Sequence, residues 1–165
     1  GKTGFQKMAD FLINRCSPHH YATVAYYLKN TLSDFGTVSR GICEMNSQNE
    51  LTDVVERTKI GKEDGGIFYF ENEEKHPLKS DELVSMNFWG CHPNIFDFLK
   101  KQFAEFIEKN GQNPKSEFYI PFAINELIQS KTVNVSVLPN AERWYGITYK
   151  EDKEIVKKAF EQFIQ

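Results

Sequence analysis

Cysteine is scarce in this chain of 165 residues. Cys16, Cys43 and Cys91 stand far apart without a C-x-x-C pair, which argues against a disulfide framework and predicts reduced thiols. His19, His20, His76 and His92 lack metal-ligand spacing and there is no H-E-x-x-H, so zinc chemistry has no footing. No apolar run approaches the roughly 20 residues of a membrane-spanning helix. The first residues are amphipathic where a signal peptide would be uninterruptedly apolar. An excess of positive charge is also missing: 20 Lys and Arg lie scattered among 23 Asp and Glu, for a net charge of -3. A nucleic-acid binder would carry a basic footprint. There is no Walker loop, G-x-G-x-x-G or G-x-S-x-G, no repeat and no Gly-, Ser- or Pro-rich linker. Together these absences predict one cytoplasmic domain over residues 1–165, with neither membrane nor nucleic acid as partner.

What is present is a globular balance, 40% hydrophobic and 14% aromatic with 26% charged residues, enough for a real core. Phe5, Met8, Ala9 and Leu12 recur at helical spacing and predict a helix over 4–15. Tyr21 to Leu28 reads as a strand covered on both faces. Val38 to Met45 and Leu51 to Thr58 read as a hairpin turning through Asn46-Ser47-Gln48-Asn49. Short strands follow at Ile67 to Phe70 and Leu83 to Gly90, with the acidic stretch Glu71 to Glu74 as a solvated loop. Pro93 opens a helix with Ile95, Phe96, Leu99, Phe103, Phe106 and Ile107 on one apolar face, closed by Gly111. A further helix lies within 116–130, interrupted or begun at Pro121. Strands at Thr132 to Leu138 and Arg143 to Tyr149 precede a final helix, whose Ile155, Val156, Ala159, Phe160 and Phe163 face a core. The expected fold is α/β, a mixed sheet flanked by helices.

Candidate chemistry sits at strand ends. Ser39-Arg40-Gly41 in one strand and Glu56-Arg57-Thr58 in the other bring a glycine, a carboxylate and two guanidinium groups close together. Arg57 has the geometry to grip a phosphate through paired hydrogen bonds while Glu56 accepts from sugar hydroxyls. The alternative is a cross-strand ion pair on the surface. Cys91-His92 as a thiol and its base is the weaker idea, because catalytic pairs usually meet through the fold.

In order, 36–44 (GTVSRGICE), 51–58 (LTDVVERT), 85–90 (SMNFWG), 113–121 (NPKSEFYIP) and 144–148 (WYGIT) resemble the sugar-1-phosphate nucleotidyltransferase family. The resemblance covers nearly the whole chain. It implies a partial Rossmann-like nucleotidyltransferase fold of the GT-A-like kind. The implied reaction joins a nucleoside monophosphate from a nucleoside triphosphate to a sugar 1-phosphate, with release of pyrophosphate. Gly41 matches the glycine whose backbone approaches the sugar, and Glu56 the carboxylate on its hydroxyls. Arg57 stands where a lysine commonly meets the acceptor phosphate. Phe88 and Trp89 match an aromatic strand beside the acceptor pocket, and Glu117 a carboxylate of the following helix. The family's Gly-rich triphosphate loop and first metal-binding Asp lie upstream of the position matching Gly1. The chain is therefore expected to supply the acceptor side alone, with no catalytic residue of its own. Mg2+ is expected for the complete enzyme; Gly146 stands where a second metal-binding Asp often lies, and Asp152 substitutes only if its loop folds back.

Two rivals remain. A phosphocholine cytidylyltransferase-like enzyme would use Phe88, Trp89, Trp144 and Tyr145 as an aromatic box for a quaternary ammonium. A non-catalytic module that binds a ligand or regulates a partner would keep the acceptor pocket without nucleotide chemistry. An uncovered sheet edge predicts self-association into a homo-oligomer.

Overall fold

A computed structural model describes residues 1–63 and 65–163. Among these, four α-helices and seven strands run in the order α1 (Lys2–Asn14), β1 (His20–Tyr27), β2 (Val38–Met45), β3 (Leu51–Glu63), β4 (Gly66–Glu71), β5 (Glu74–Leu78), β6 (Leu83–Gly90), α2 (Ile95–Asn110), α3 (Ile120–Gln129), β7 (Asn134–Asn140) and α4 (Asp152–Phe163), with one 3-10 turn at Leu28–Asn30 after β1. The strands form one sheet in the order β5-β4-β3-β2-β6-β1-β7. Only β1 and β7 are parallel; every other pairing is antiparallel. The fold is thus α/β with a mixed sheet.

β1 is apolar on both faces because both are covered. Ala22, Val24 and Tyr26 pack with Met8 and Phe11 of α1. Tyr21 and Ala25 pack on the other side with Ile95 of α2 and with Ile124 and Leu127 of α3. A smaller core of Leu28, Val38, Ile60, Ile67 and Val84 ties in β3 and β4. Gly4 lets α1 approach the sheet: a Cβ there would lie 2.9 Å from Asn140 Nδ2. The first turn of α1 is capped from a distance, since Glu142 accepts hydrogen bonds from the N–H groups of Thr3 and Gly4, both at 3.3 Å, satisfying donors that have no partner within the helix.

Several expectations are corrected. The acidic stretch expected as a loop turns a hairpin instead. Asn72 and Glu73 take φ of 50° and 68° between the paired Glu71 and Glu74, the left-handed pair that matches strand twist in a two-residue turn. Arg143 to Tyr149 forms no strand. It is fastened instead as a strap by contacts outside the sheet: Trp144 N–H donates to Asn30 O at 3.0 Å, and the Tyr149 hydroxyl to Thr37 O at 2.6 Å. The buried side of α2 is rotated from the expected face. Ile95, Phe98 and Leu99 meet the core, while Phe96 is 71% exposed and Phe103 and Ile107 are half-exposed. Phe103 and Phe106 instead meet Phe118. In α4, Ala159 is buried but Phe160 is exposed, and the side chain of Phe163 lies outside the described residues. No helix among the described residues is long and apolar enough to cross a membrane, which says nothing of a β-barrel.

Candidate ligand cleft

Strands β2 and β6 pair over only two positions, Gly41 with Ser85 and Ile42 with Val84. Beyond them the strands part. β6 bulges there, because Thr23 opposes Trp89 while Ala25 opposes Ser85, so that Met86 to Phe88 of β6 stand opposite Val24 alone. Asn87, at the centre, takes φ of 56°, a left-handed conformation that Asn tolerates better than most residues. Bulges commonly re-aim side chains beside functional sites. The parted strands leave a cleft of about 280 Å³, walled by β2 and β3 on one side and by Ser85 to Asn87 on the other, with Pro121 of α3 and Trp144 of the strap.

Gly41 and Glu56 are direct cross-strand partners, and both line this cleft. Any side chain at Gly41 would meet its floor, since a Cβ would lie 2.6 Å from Val54 Cγ1 and 3.4 Å from Glu56 Oε2. Glu56 stays open to solvent at the mouth. Partial desolvation raises its carboxyl above the ordinary range, and the charge of Arg40 offsets part of that rise.

Arg40 and Arg57 are also cross-strand partners, and like charges placed opposite each other are unfavourable. The two are engaged by different neighbours. Arg57 pairs with Glu71 at 3.1 Å and stacks over Tyr69 at 4.6 Å, outside the residues that line the cleft. Arg40 is 91% buried by its 9% exposure. It donates from Nε to Thr31 Oγ1 at 3.2 Å, from Nη1 to Ser39 O at 2.7 Å, and from Nη2 to Thr31 O. Its guanidinium lies 5.2 Å from the Trp144 ring, and burial lowers its pKa.

The two aromatics of β6 diverge, as neighbours in a strand do. Phe88 joins Phe5, Tyr26, Trp144 and Tyr145 around a second cavity of about 720 Å³, which shares Met86, Asn87 and Trp144 with the first. Trp89 packs with the α2 and α3 core and lines neither. Glu117 lies before α3 and is exposed. It faces the Tyr119 hydroxyl, whose pKa rises chiefly from that hydrogen bond and slightly from Glu56. Glu117 and Glu56 therefore share a neighbour without meeting. Arg40 and Gly41 were legible as a pair in the sequence; the part of Asn87 was not, although an Asn amid an aromatic strand is a signal for a left-handed residue.

The donor set for Mg2+ does not fit the residues present. A Cβ at Gly146 would lie 1.8 Å from Trp144 Cη2, so no carboxylate fits there while the indole lies over it. The loop before Asp152 does fold back, but its carboxylate is occupied. It accepts from Ser33 Oγ at 3.0 Å, Thr148 N at 3.0 Å and Tyr149 N at 2.8 Å. Among the described residues no three His, Cys, Asp or Glu side chains converge. A scan against protein-family models finds no match to this chain, and a search of curated proteins finds no similar sequence.

Proposed function

We propose that the chain is the acceptor-binding side of a nucleotidyltransferase that takes a sugar 1-phosphate. The observation that carries this reading is the Gly41–Glu56 pair at the parting of β2 and β6. A bare backbone lets a ligand approach closely, and a carboxylate beside it accepts hydrogen bonds from hydroxyls. A fixed cation, Arg40, completes a site suited to a phosphorylated polyol. The order β6-β1-β7 with helices on both faces is compatible with a partial GT-A-like fold. Residues from elsewhere would supply the nucleotide cradle and Mg2+, whose chemistry in such a reaction is to offset charge on the two phosphate groups. The present residues bind and orient the acceptor.

The aromatic cavity beside the cleft favours one rival, a choline phosphate acceptor, because Phe88, Trp144 and Tyr145 meet there and aromatic faces attract quaternary ammonium. Trp89 is missing from that group.

Calorimetric titration with glucose 1-phosphate and with choline phosphate separates the two readings. Binding of glucose 1-phosphate is expected, weakened by about 10- to 100-fold in Glu56→Gln through loss of a charged acceptor. Preference for choline phosphate, or equal binding by Glu56→Gln, would remove the sugar-phosphate reading.

A further inference from the structure

We propose that Arg40, rather than Arg57, recognises the acceptor's phosphate in this cleft. The inference rests on the acceptor-side reading and names the group that gives it charge selectivity. Arginine has five N–H donors, and three hydrogen bonds hold this one. Two N–H groups therefore remain, and Arg40 lines this cleft as well as an adjoining pocket walled by Thr31, Asp34 and Asp152. A buried guanidinium with incomplete hydrogen bonding is costly unless an anion or water completes it. Its orientation is fixed in advance by Thr31, Ser39 and the Trp144 ring, so little side-chain entropy is lost when an anion docks.

Glu56 feels the charge of Arg40, yet no direct ion pair joins them among the described residues. The space between a carboxylate and a cation held apart in one cleft suits a ligand with a hydroxyl for the first and an anionic group for the second. Arg57 offers no such arrangement, because Glu71 and Tyr69 already engage it. A planar fork of donors matches the paired oxygens of a phosphate or a carboxylate, and on the acceptor-side reading the anion is a phosphate.

The experiment compares glucose 1-phosphate with the uncharged methyl α-glucoside by calorimetry. The wild-type chain is expected to prefer the phosphate ester by at least about 10-fold. Arg40→Gln should lose that preference while Arg57→Gln retains it. The reverse pattern overturns the assignment to Arg40 and leaves the acceptor-side reading standing. No binding of glucose 1-phosphate by the wild type overturns both. Should Arg40→Gln fail to fold, the wild type still decides. Arg40 is the one buried arginine among the described residues, and its Nε–H donates to Thr31 Oγ1, so a protected side-chain 1H–15N resonance is expected from it. That resonance is expected to shift with glucose 1-phosphate and not with methyl α-glucoside. A shift with both ligands, or with neither, overturns the proposal.

Discussion

Asp152 gives the sharpest test of how the strap over the cleft is held. Its carboxylate is buried and accepts three hydrogen bonds, two from the backbone N–H groups of Thr148 and Tyr149 and one from Ser33. It also stands in the first turn of α4, where a negative charge is favoured by the helix dipole. Asp152→Ala removes all three acceptor contacts. Hydrogen bonds to a charged group are worth about 1.5 to 3 kcal/mol, but the freed N–H groups can partly rehydrate at the loop, so we expect a loss of about 3 kcal/mol in all. For a chain of this size that lowers Tm by about 6 to 12 °C. Asp152→Asn keeps one oxygen for the two N–H groups and can donate to the Ser33 hydroxyl, so its cost should be about 1 kcal/mol, the charge assistance alone. The backbone and Ser33 hydrogen bonds hold the Asp152 carboxyl below its ordinary value. A depressed folded-state pKa gives stability that is present above the unfolded value and lost as pH falls through the folded one. Melting followed by circular dichroism between pH about 5 and about 2 should therefore show a fall in the wild type that is shallower in Asp152→Asn. If Asn proves as damaging as Ala, or if the pH slopes coincide, the strap is not held by this charge.

Other outcomes follow from the same geometry. Gly146→Ala should displace the indole of Trp144, because a methyl there would lie 1.8 Å from Trp144 Cη2. The expected cost is about 1 to 3 kcal/mol of overpacking, with a shift in tryptophan emission; unchanged emission would mean that the ring does not rest on that glycine. Glu73→Gly should stabilise the β4–β5 turn by about 0.5 to 1 kcal/mol, since a left-handed φ of 68° strains Glu and not Gly. The midpoint of urea unfolding checks it, and a lowered midpoint would refute the turn assignment.

The strong periodic signals carried most of the fold. Val38 to Met45 and Leu83 to Gly90 form strands with the predicted bounds, and α1 departs from its prediction by two residues or fewer at each end. Hydrophobic period and turn residues are local quantities, so the sequence reports them. β5 was unreadable because Glu74 to Leu78 has little apolar content; its strand exists through pairing with β4, which period alone cannot reveal. The apolar face of α2 was legible as amphipathic, but which side meets the core depended on where α3 and Phe118 lie.

At the candidate cleft, the sequence by itself determined which chemistry is on hand: a bare glycine, a carboxylate and two guanidiniums on neighbouring strands. Tertiary structure decided which of them face one space. The one-position offset between Glu56 and Arg57, and the registers that oppose Gly41 to Glu56 and Arg40 to Arg57, place adjacent residues in different surroundings. The bulge at Asn87 opens the cleft, and the strap brings Trp144 onto Arg40 from more than a hundred residues away. Long-range packing and electrostatic compensation select among local candidates, because burial and charge neutralisation depend on neighbours that the chain supplies only once it is folded.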